Sequence, residues 1–300
     1  MLASIQLLPP RLGAFSLVVV LTSLAPVIAR DFPHSAQVVK LENLNHDIKR
    51  ITFKPKSEGF DFTVGQYVHV KAPESYIEQF NARYKTDHGE ISRPYSFASN
   101  PSNQATFSLI IKRYGPPRPK KGEPPPEKEI PPGVMSTFIH KHLKVGDVLS
   151  ISEPRGELYL KTDSKRPIVI IAGGVGVSPF VGLLNYFFEQ KINEERKIYF
   201  FFGVNTIRDL VLHEQFTEWA KKHKNFYYVP AVARVADNET WEGEKGYGNQ
   251  VFERYFKESI DADAYIAGSP TMRKFTTQSL VKKGVARDRV RWDRIRVGEN

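Results

Sequence analysis

Cysteine is absent from all 300 residues. That excludes disulfides, thiolate metal sites and a cysteine-ligated iron–sulfur cluster within this chain. Any electron carrier here must be organic or belong to another protein. Metal-ligand spacing is equally missing among the eight histidines, so no metal is expected. His140 and His142 alternate in a basic, amphipathic stretch and read as exposed side chains. No zinc-finger spacing, RNP motif or basic heptad region occurs, which leaves nucleic acid without support as a partner. Positive charge, by contrast, is in excess: 43 Lys+Arg against 33 Asp+Glu, a formal net charge of +10. Such a balance suits contact with an acidic protein surface or anionic lipid.

Long uncharged runs are also scarce. One lies between Arg11 and Arg30, LGAFSLVVVLTSLAPVIA. As a helix it would span about 27 Å, just enough for a short membrane crossing. Residues 1–30 are therefore expected to be a membrane anchor. A signal peptide cleaved after the small-residue pattern Val27–Ala29 is the alternative. A buried core helix is the third reading, disfavoured by the flanking arginines. Arg30, Lys40, Lys49 and Arg50 follow the run while Arg11 alone precedes it, which favours a cytoplasmic main body.

The rest is ordinary globular protein, 41% hydrophobic and 25% charged, long enough for two domains. From 34 to 162 short segments such as VVKLENLNHDIKRITFKP, FTVGQYVHVKAP and TFSLIIKRY carry β-branched and aromatic residues, interrupted by Gly and Pro. Regular short strands of this kind predict an antiparallel barrel or sandwich. The Pro-, Lys- and Glu-rich stretch 116–132 cannot supply many ladder donors and reads as an exposed loop. After Arg166 the rhythm changes. IVIIAGG, KIYFFFG, FYYVPAVA and DAYIAGS alternate with helical patterns through 166–300, as in a doubly wound parallel sheet.

Gly173-Gly174-Val175-Gly176-Val177-Ser178-Pro179 follows an apolar strand and opens a helix pattern. Glycines there let the backbone approach a pyrophosphate, and the helix start presents free N–H groups. Ser178 is expected to cap that helix, with Pro179 in its first turn. A second turn, Ala267 to Met272 (AGSPTM), again links a strand to a helix, so both lie at the carboxyl edge of one sheet. Arg93-Pro94-Tyr95-Ser96 offers a cation, an aromatic and a hydroxyl. On composition alone it reads equally as an ordinary strand end.

Order and spacing say more. RPYS, then GVMSTFI at Gly133 to Ile139, then GGVGVSP, then AGSPTM resembles the ferredoxin–NADP reductase-like superfamily over roughly 34–295. Within it the likeness is to the FAD/NADH module of the sodium-translocating NADH:quinone reductase. It extends to the long segment before RPYS and to WEGEKGYGNQVFERYF, Trp241 to Phe256. The resemblance implies a six-stranded antiparallel β-barrel FAD domain followed by a doubly wound NAD domain. It implies Arg93 on the FAD pyrophosphate, Tyr95 against the isoalloxazine and Ser96 near flavin N5, the last two being the candidate catalytic residues. Gly133, Met135, Ser136 and Thr137 would form a second FAD clamp. Gly173, Gly174, Gly176 and Pro179 would hold the nucleotide's pyrophosphate side, with Gly268, Ser269, Pro270 and Met272 flanking the nicotinamide. Hydride would pass from NADH to FAD, and electrons onward to a haem protein, an iron–sulfur protein or a quinone. A non-catalytic flavin- and nucleotide-binding regulatory module, or an NADPH-specific ferredoxin reductase-like enzyme, is the alternative.

Departures from the family pattern are visible as well. Relatives usually carry Cys where this chain has Ala267, no cysteines are present for the iron–sulfur domain that accompanies the quinone-reductase module, and VRWDRIRVGEN stands where an aromatic end is expected. Whether Trp292 covers the flavin instead is open. For the ribose pocket Asn205, Thr206 and Arg208 are candidates. Arg208 could hold a 2′-phosphate and so admit NADPH, or pair with Asp209; Asp209 and the likeness to the quinone-reductase module favour NADH. Lys282, Lys283, Arg287, Arg289, Arg291, Arg294 and Arg296 could dock an acidic partner or be a solvated surface.

Overall fold

β-branched and aromatic residues on alternating positions, broken by Gly and Pro, give the first half its strands. In chain order these are β1 (His34–Asn43), β2 (Ile48–Pro55), β3 (Tyr67–Lys71), α1 (Glu74–Tyr84), β4 (Ser92–Ser96), β5 (Phe107–Lys112), α2 (Val134–Lys141) and β6 (Val148–Ile151). The computed structural model describes residues 31–117, 129–192 and 194–293. The apolar run 12–29, with the anchor helix expected there, lies outside the described residues, as does the middle of the Pro-rich stretch. Among the described residues no helix is long and apolar enough to cross a membrane.

The strands form a six-stranded antiparallel sheet in the order β4-β3-β6-β1-β2-β5. Its two edges meet at the Phe97↔Leu109 bridge, which closes the barrel. Inside, Phe53, Phe60, Phe62, Phe97 and Phe107 pack ring against ring. In α1, Tyr76, Ile77 and Phe80 recur at helical spacing and enter the same core. Burial pushes the Tyr76 phenol up to about 12.

The second half is β7 (Ile168–Gly173), α3 (Ser178–Glu189), β8 (Ile198–Val204), α4 (His213–Lys222), β9 (Phe226–Val232), β10 (Glu244–Lys245), α5 (Gly248–Tyr255), β11 (Asp263–Ala267), α6 (Pro270–Lys282) and β12 (Val290–Trp292). These strands form a parallel six-stranded sheet in the order β10-β9-β8-β7-β11-β12. Chain direction across the sheet reverses between β7 and β11, so the glycine turns after those strands flank the switch point, where ligands bind in such sheets.

Alternation along the strands sorts side chains between two layers. Ile168, Ile170, Ala172, Tyr265 and Ala267 face α3, α4 and the barrel residues Ile48, Ala98 and Ile110. Val169, Ile171, Ala264, Ile266 and Val290 face the opposite layer with α5 and α6. The outer side of the barrel and this face of the sheet therefore share one hydrophobic cluster, distinct from the barrel's own core. Contact is close enough that a Cβ on Gly182 of α3 would stand 2.5 Å from the Ser99 carbonyl oxygen.

One histidine departs from expectation. His140 is half-buried, its Nε2 3.0 Å from the Ile111 carbonyl, while His142 is exposed as expected. Burial lowers the His140 pKa, and it does the same at His213 and His223. A histidine that resists protonation only when folded adds stability that is complete above its unfolded value, near 6.5, and is lost as pH falls below it. The melting temperature is expected to drop between pH 7 and 5. His140→Gln should flatten part of that slope in a calorimetric pH series.

Candidate functional site

Ser96 closes β4 opposite Tyr67 of β3, where barrel and parallel sheet touch. Its hydroxyl donates to Asp293 Oδ2 at 3.0 Å, and its carbonyl accepts from the Ser178 hydroxyl at 3.3 Å. The end of the described chain and the start of α3 thus converge on one barrel residue. Ser178 was expected to cap α3. Instead a 3₁₀ turn, Gly174–Val177, runs directly into the helix, putting Ser178 inside it and freeing the hydroxyl for Ser96. Pro179 does sit in the first turn.

Along β4, Tyr95 packs against the barrel core, and burial pushes its phenol well above the ordinary range. Arg93 and Tyr114 lie close enough to act on that phenol electrostatically, in opposite senses. Arg93 Nη1 donates to the Ser92 carbonyl at 2.9 Å. Next to these residues the Gly133 turn is tied to the strand exit: Gly133 N–H donates to Tyr114 O at 3.0 Å, and Tyr114 N–H to Ser136 Oγ at 3.1 Å. Met135 belongs to the core and the Ser136 hydroxyl is spent internally on Gly133 O. Of the expected clamp, Thr137 lines a cavity of about 350 Å³ together with Arg83, Tyr84, Arg113, Tyr114 and Lys141. The Glu129 carboxylate and Pro116, Pro117 and Pro132 line it too; its three cations and two aromatics fit an anionic, flat group such as FAD.

On the sheet side the two glycine turns interlock. A Cβ on Gly176 would meet Ala267 O at 2.4 Å, and one on Gly173 or Gly268 would meet Met272 Sδ at 2.2 or 2.5 Å. Gly174 (φ +53°) faces open space, leaving its backbone approachable. Ser269 caps α6 by accepting from Met272 N–H at 3.2 Å, with Pro270 in the first turn. Sequence reasoning placed Ser269 beside the nucleotide without seeing that its hydroxyl holds the helix start.

Beyond β8, Asp209 does not pair with Arg208 among the described residues. Its Oδ2 accepts from Thr206 N–H and Oγ1–H in a capping box, at 2.9 and 2.8 Å. Arg208 is exposed, and so is Arg234, whose N–H donates to Asn205 O at 2.8 Å.

Trp292 does not face the barrel. Strand alternation turns it to the α6 layer, where Arg273 and Arg287 lie 5.6 and 6.0 Å from its ring, while Asp293 turns back toward Ser96. Of the expected basic docking surface, Arg294 and Arg296 lie outside the described residues, while Lys282 pairs with Glu253, Arg289 with Asp261 and Arg291 with Asp263. Asp293, Tyr114, Arg113, Arg83 and Arg234 were not foreseen. The Arg113-Tyr114 pair at a strand exit was a readable signal, whereas Asp293 stands 197 positions from Ser96 and left none.

Comparison with known proteins gives the same division. An oxidoreductase FAD-binding domain family model matches residues 35–159, and an oxidoreductase NAD-binding domain model matches 170–278. The chain belongs to the ferredoxin–NADP reductase-like superfamily. It carries that superfamily's pair of oxidoreductase domains, with FAD and NAD(H) as cofactors. It is 27% identical over 270 residues to the F component of the Na(+)-translocating NADH-quinone reductase of Marinomonas, covering 82% of this chain and 63% of that protein. To the anthranilate 1,2-dioxygenase electron transfer component of Acinetobacter baylyi it is 30% identical over 228 residues, 75% of this chain and 56% of the relative. It thus spans about three fifths of the curated relatives it matches. The Amycolatopsis cytochrome P450 reductase GcoB shares the fold, with a TM-score of 0.70 at 21% identity, over 88% of this chain and 70% of that one.

Proposed function

We propose that this superfamily member takes hydride from NADH onto FAD at the barrel–sheet junction and passes electrons to a separate acceptor. The observation that carries the reading is Ser96, fixed between Asp293 and Ser178 where the flavin motif and the nucleotide turns meet. FAD, when bound, supplies the hydride-accepting ring and the means of releasing electrons. Everything else falls to the chain. Arg93 neutralises phosphate, Tyr95 provides a neutral aromatic surface, and the cavity at Tyr114 and Thr137 receives the adenosine end. Asp293 draws the Ser96 hydroxyl proton toward itself, leaving the oxygen's lone pairs to accept an N–H at that spot. Gly173, Gly174, Gly176 and Pro179 take the nucleotide's pyrophosphate, while Gly268 to Met272 align the nicotinamide. Ala267, in place of the family's cysteine, leaves alignment to its neighbours, which loosens the approach without removing the acceptor.

Arg208 and Arg234 make no ion pair among the described residues and stand beyond the ends of β8 and β9. They favour tolerance of a 2′-phosphate, hence of NADPH, as a second reading. The uncharged run 12–29 supports a membrane tether with the catalytic part on the cytoplasmic side.

The test is anaerobic. Flavin-loaded protein mixed with NADH, and separately with NADPH, should lose its visible flavin band within the mixing experiment. Absence of bound flavin overturns the reading, and a bound flavin whose band neither nucleotide changes supports the non-catalytic module instead. Reoxidation by native membrane or soluble fractions then identifies the acceptor class.

A further inference from the structure

The turn between β1 and β2, Leu44–Asp47, reaches across to the loop after β8. Asn45 Nδ2 donates to the Asp209 carbonyl at 3.1 Å. Its Oδ1 meanwhile accepts from the N–H groups of Asp47 and Ile48, at 3.0 and 2.9 Å, so this amide is held rigidly by its own turn. His46 Nε2 lies 3.6 Å from Asp209 Oδ1 and 3.7 Å from Asp47 Oδ2. Leu44 packs into the same core as Ile207 and Leu210. The far side of the loop is tied to β9 by Arg234 N–H on Asn205 O and Ala233 N–H on Val204 O. A barrel turn and a strand edge therefore grip the segment that presents Arg208.

We infer that Asn45 and His46 are positioning residues for the nucleotide: they strut the Thr206–Leu210 loop from the flavin side and set its affinity for the adenosine ribose end. The inference rests on the ribose reading of that loop given above. Asn45 acts as a neutral hydrogen-bonded tie. His46 acts as a second tie, its Nε2 standing between Asp209 of the loop and Asp47 of the barrel, with Asp47 held in turn by Lys112 at 3.2 Å.

The experiment uses full-length, flavin-loaded protein and ADP-ribose, which cannot donate hydride. Titration calorimetry compares wild type with Asn45→Asp and His46→Gln. Asn45→Asp keeps the acceptor that builds the turn and replaces the donor with a carboxylate oxygen that repels the Asp209 carbonyl. Each variant should weaken ADP-ribose binding about threefold, the scale of a partly exposed polar contact, and raise KM for NADH with kcat held within about twofold. Equal affinities and equal KM in all proteins overturn the strut alone. Failure of wild type to bind ADP-ribose overturns the ribose reading beneath it. Melting temperatures of the variants within a few degrees of wild type show that any loss is local.

Discussion

Gly176→Ala is expected to reduce the rate of NADH-driven flavin reduction by about 100-fold, the scale of an ångström-level misplacement of reacting groups. The reason is steric and specific. The new Cβ would stand 2.4 Å from Ala267 O, 2.6 Å from Ala267 C and 2.8 Å from Gly268 N, all backbone atoms. No side chain can swing aside, so the two nucleotide turns must part and the nicotinamide loses register with the flavin. Flavin content should be retained, because the RPYS strand and the cavity at Tyr114 lie on the barrel. Gly89→Ala is the control, since nothing lies within 4 Å of its Cβ. Stopped-flow absorbance at the flavin band reads the result, and a Gly176→Ala rate within a few-fold of wild type sinks the interlocking argument.

Arg196 carries the second large effect, on stability. Only 5% exposed, it lies before β8 and donates through Nε to Arg166 O at 2.7 Å, through Nη1 to Lys161 O, and through Nη2 to Asp263 Oδ2 at 3.1 Å. It thus binds the segment between barrel and sheet to the first residue of β11. Burial pulls its guanidinium below the ordinary range, with Asp263 acting against that pull. Arg196→Ala would leave the buried Asp263 carboxylate and two part-buried carbonyls without their donor, a loss of roughly 3–5 kcal/mol. For a chain of this size that is a melting temperature lower by about 6–20 °C. Combining Arg196→Met with Asp263→Leu removes both charges and should recover much of the loss. A single mutant melting within two or three degrees of wild type would show that Arg291, 3.8 Å from Asp263, takes over the pairing.

How far the chain could be read without coordinates differs from one element to the next. The period of two in the first half and the apolar strands of the second fixed barrel and parallel sheet, because burial on one face or both leaves a local trace. Gly173 to Pro179 and Gly268 to Met272 were legible for the same reason: a tight strand–helix turn needs glycine or a helix opener at set positions. Ser178 was misread as a cap because the 3₁₀ turn ahead of it depends on how Gly176 seats against Ala267, a contact across the sheet. His140 looked exposed in a basic stretch, yet the partner that buries it is the Ile111 carbonyl on another strand.

By itself, then, the sequence determined the two-domain plan, the absence of any cysteine-based centre in the chain, and which strand–helix turns are built on glycine. Tertiary structure decided who meets whom. It set Asp293 rather than Trp292 toward Ser96, assembled Arg83, Arg113, Tyr114 and Lys141 around one cavity, and turned Asp209 into a cap held by Asn45. Local pattern records whether a side chain is buried, because burial repeats with the backbone's own period. It carries no record of the partner, since pairing across 197 positions is set only when the sheets close on each other.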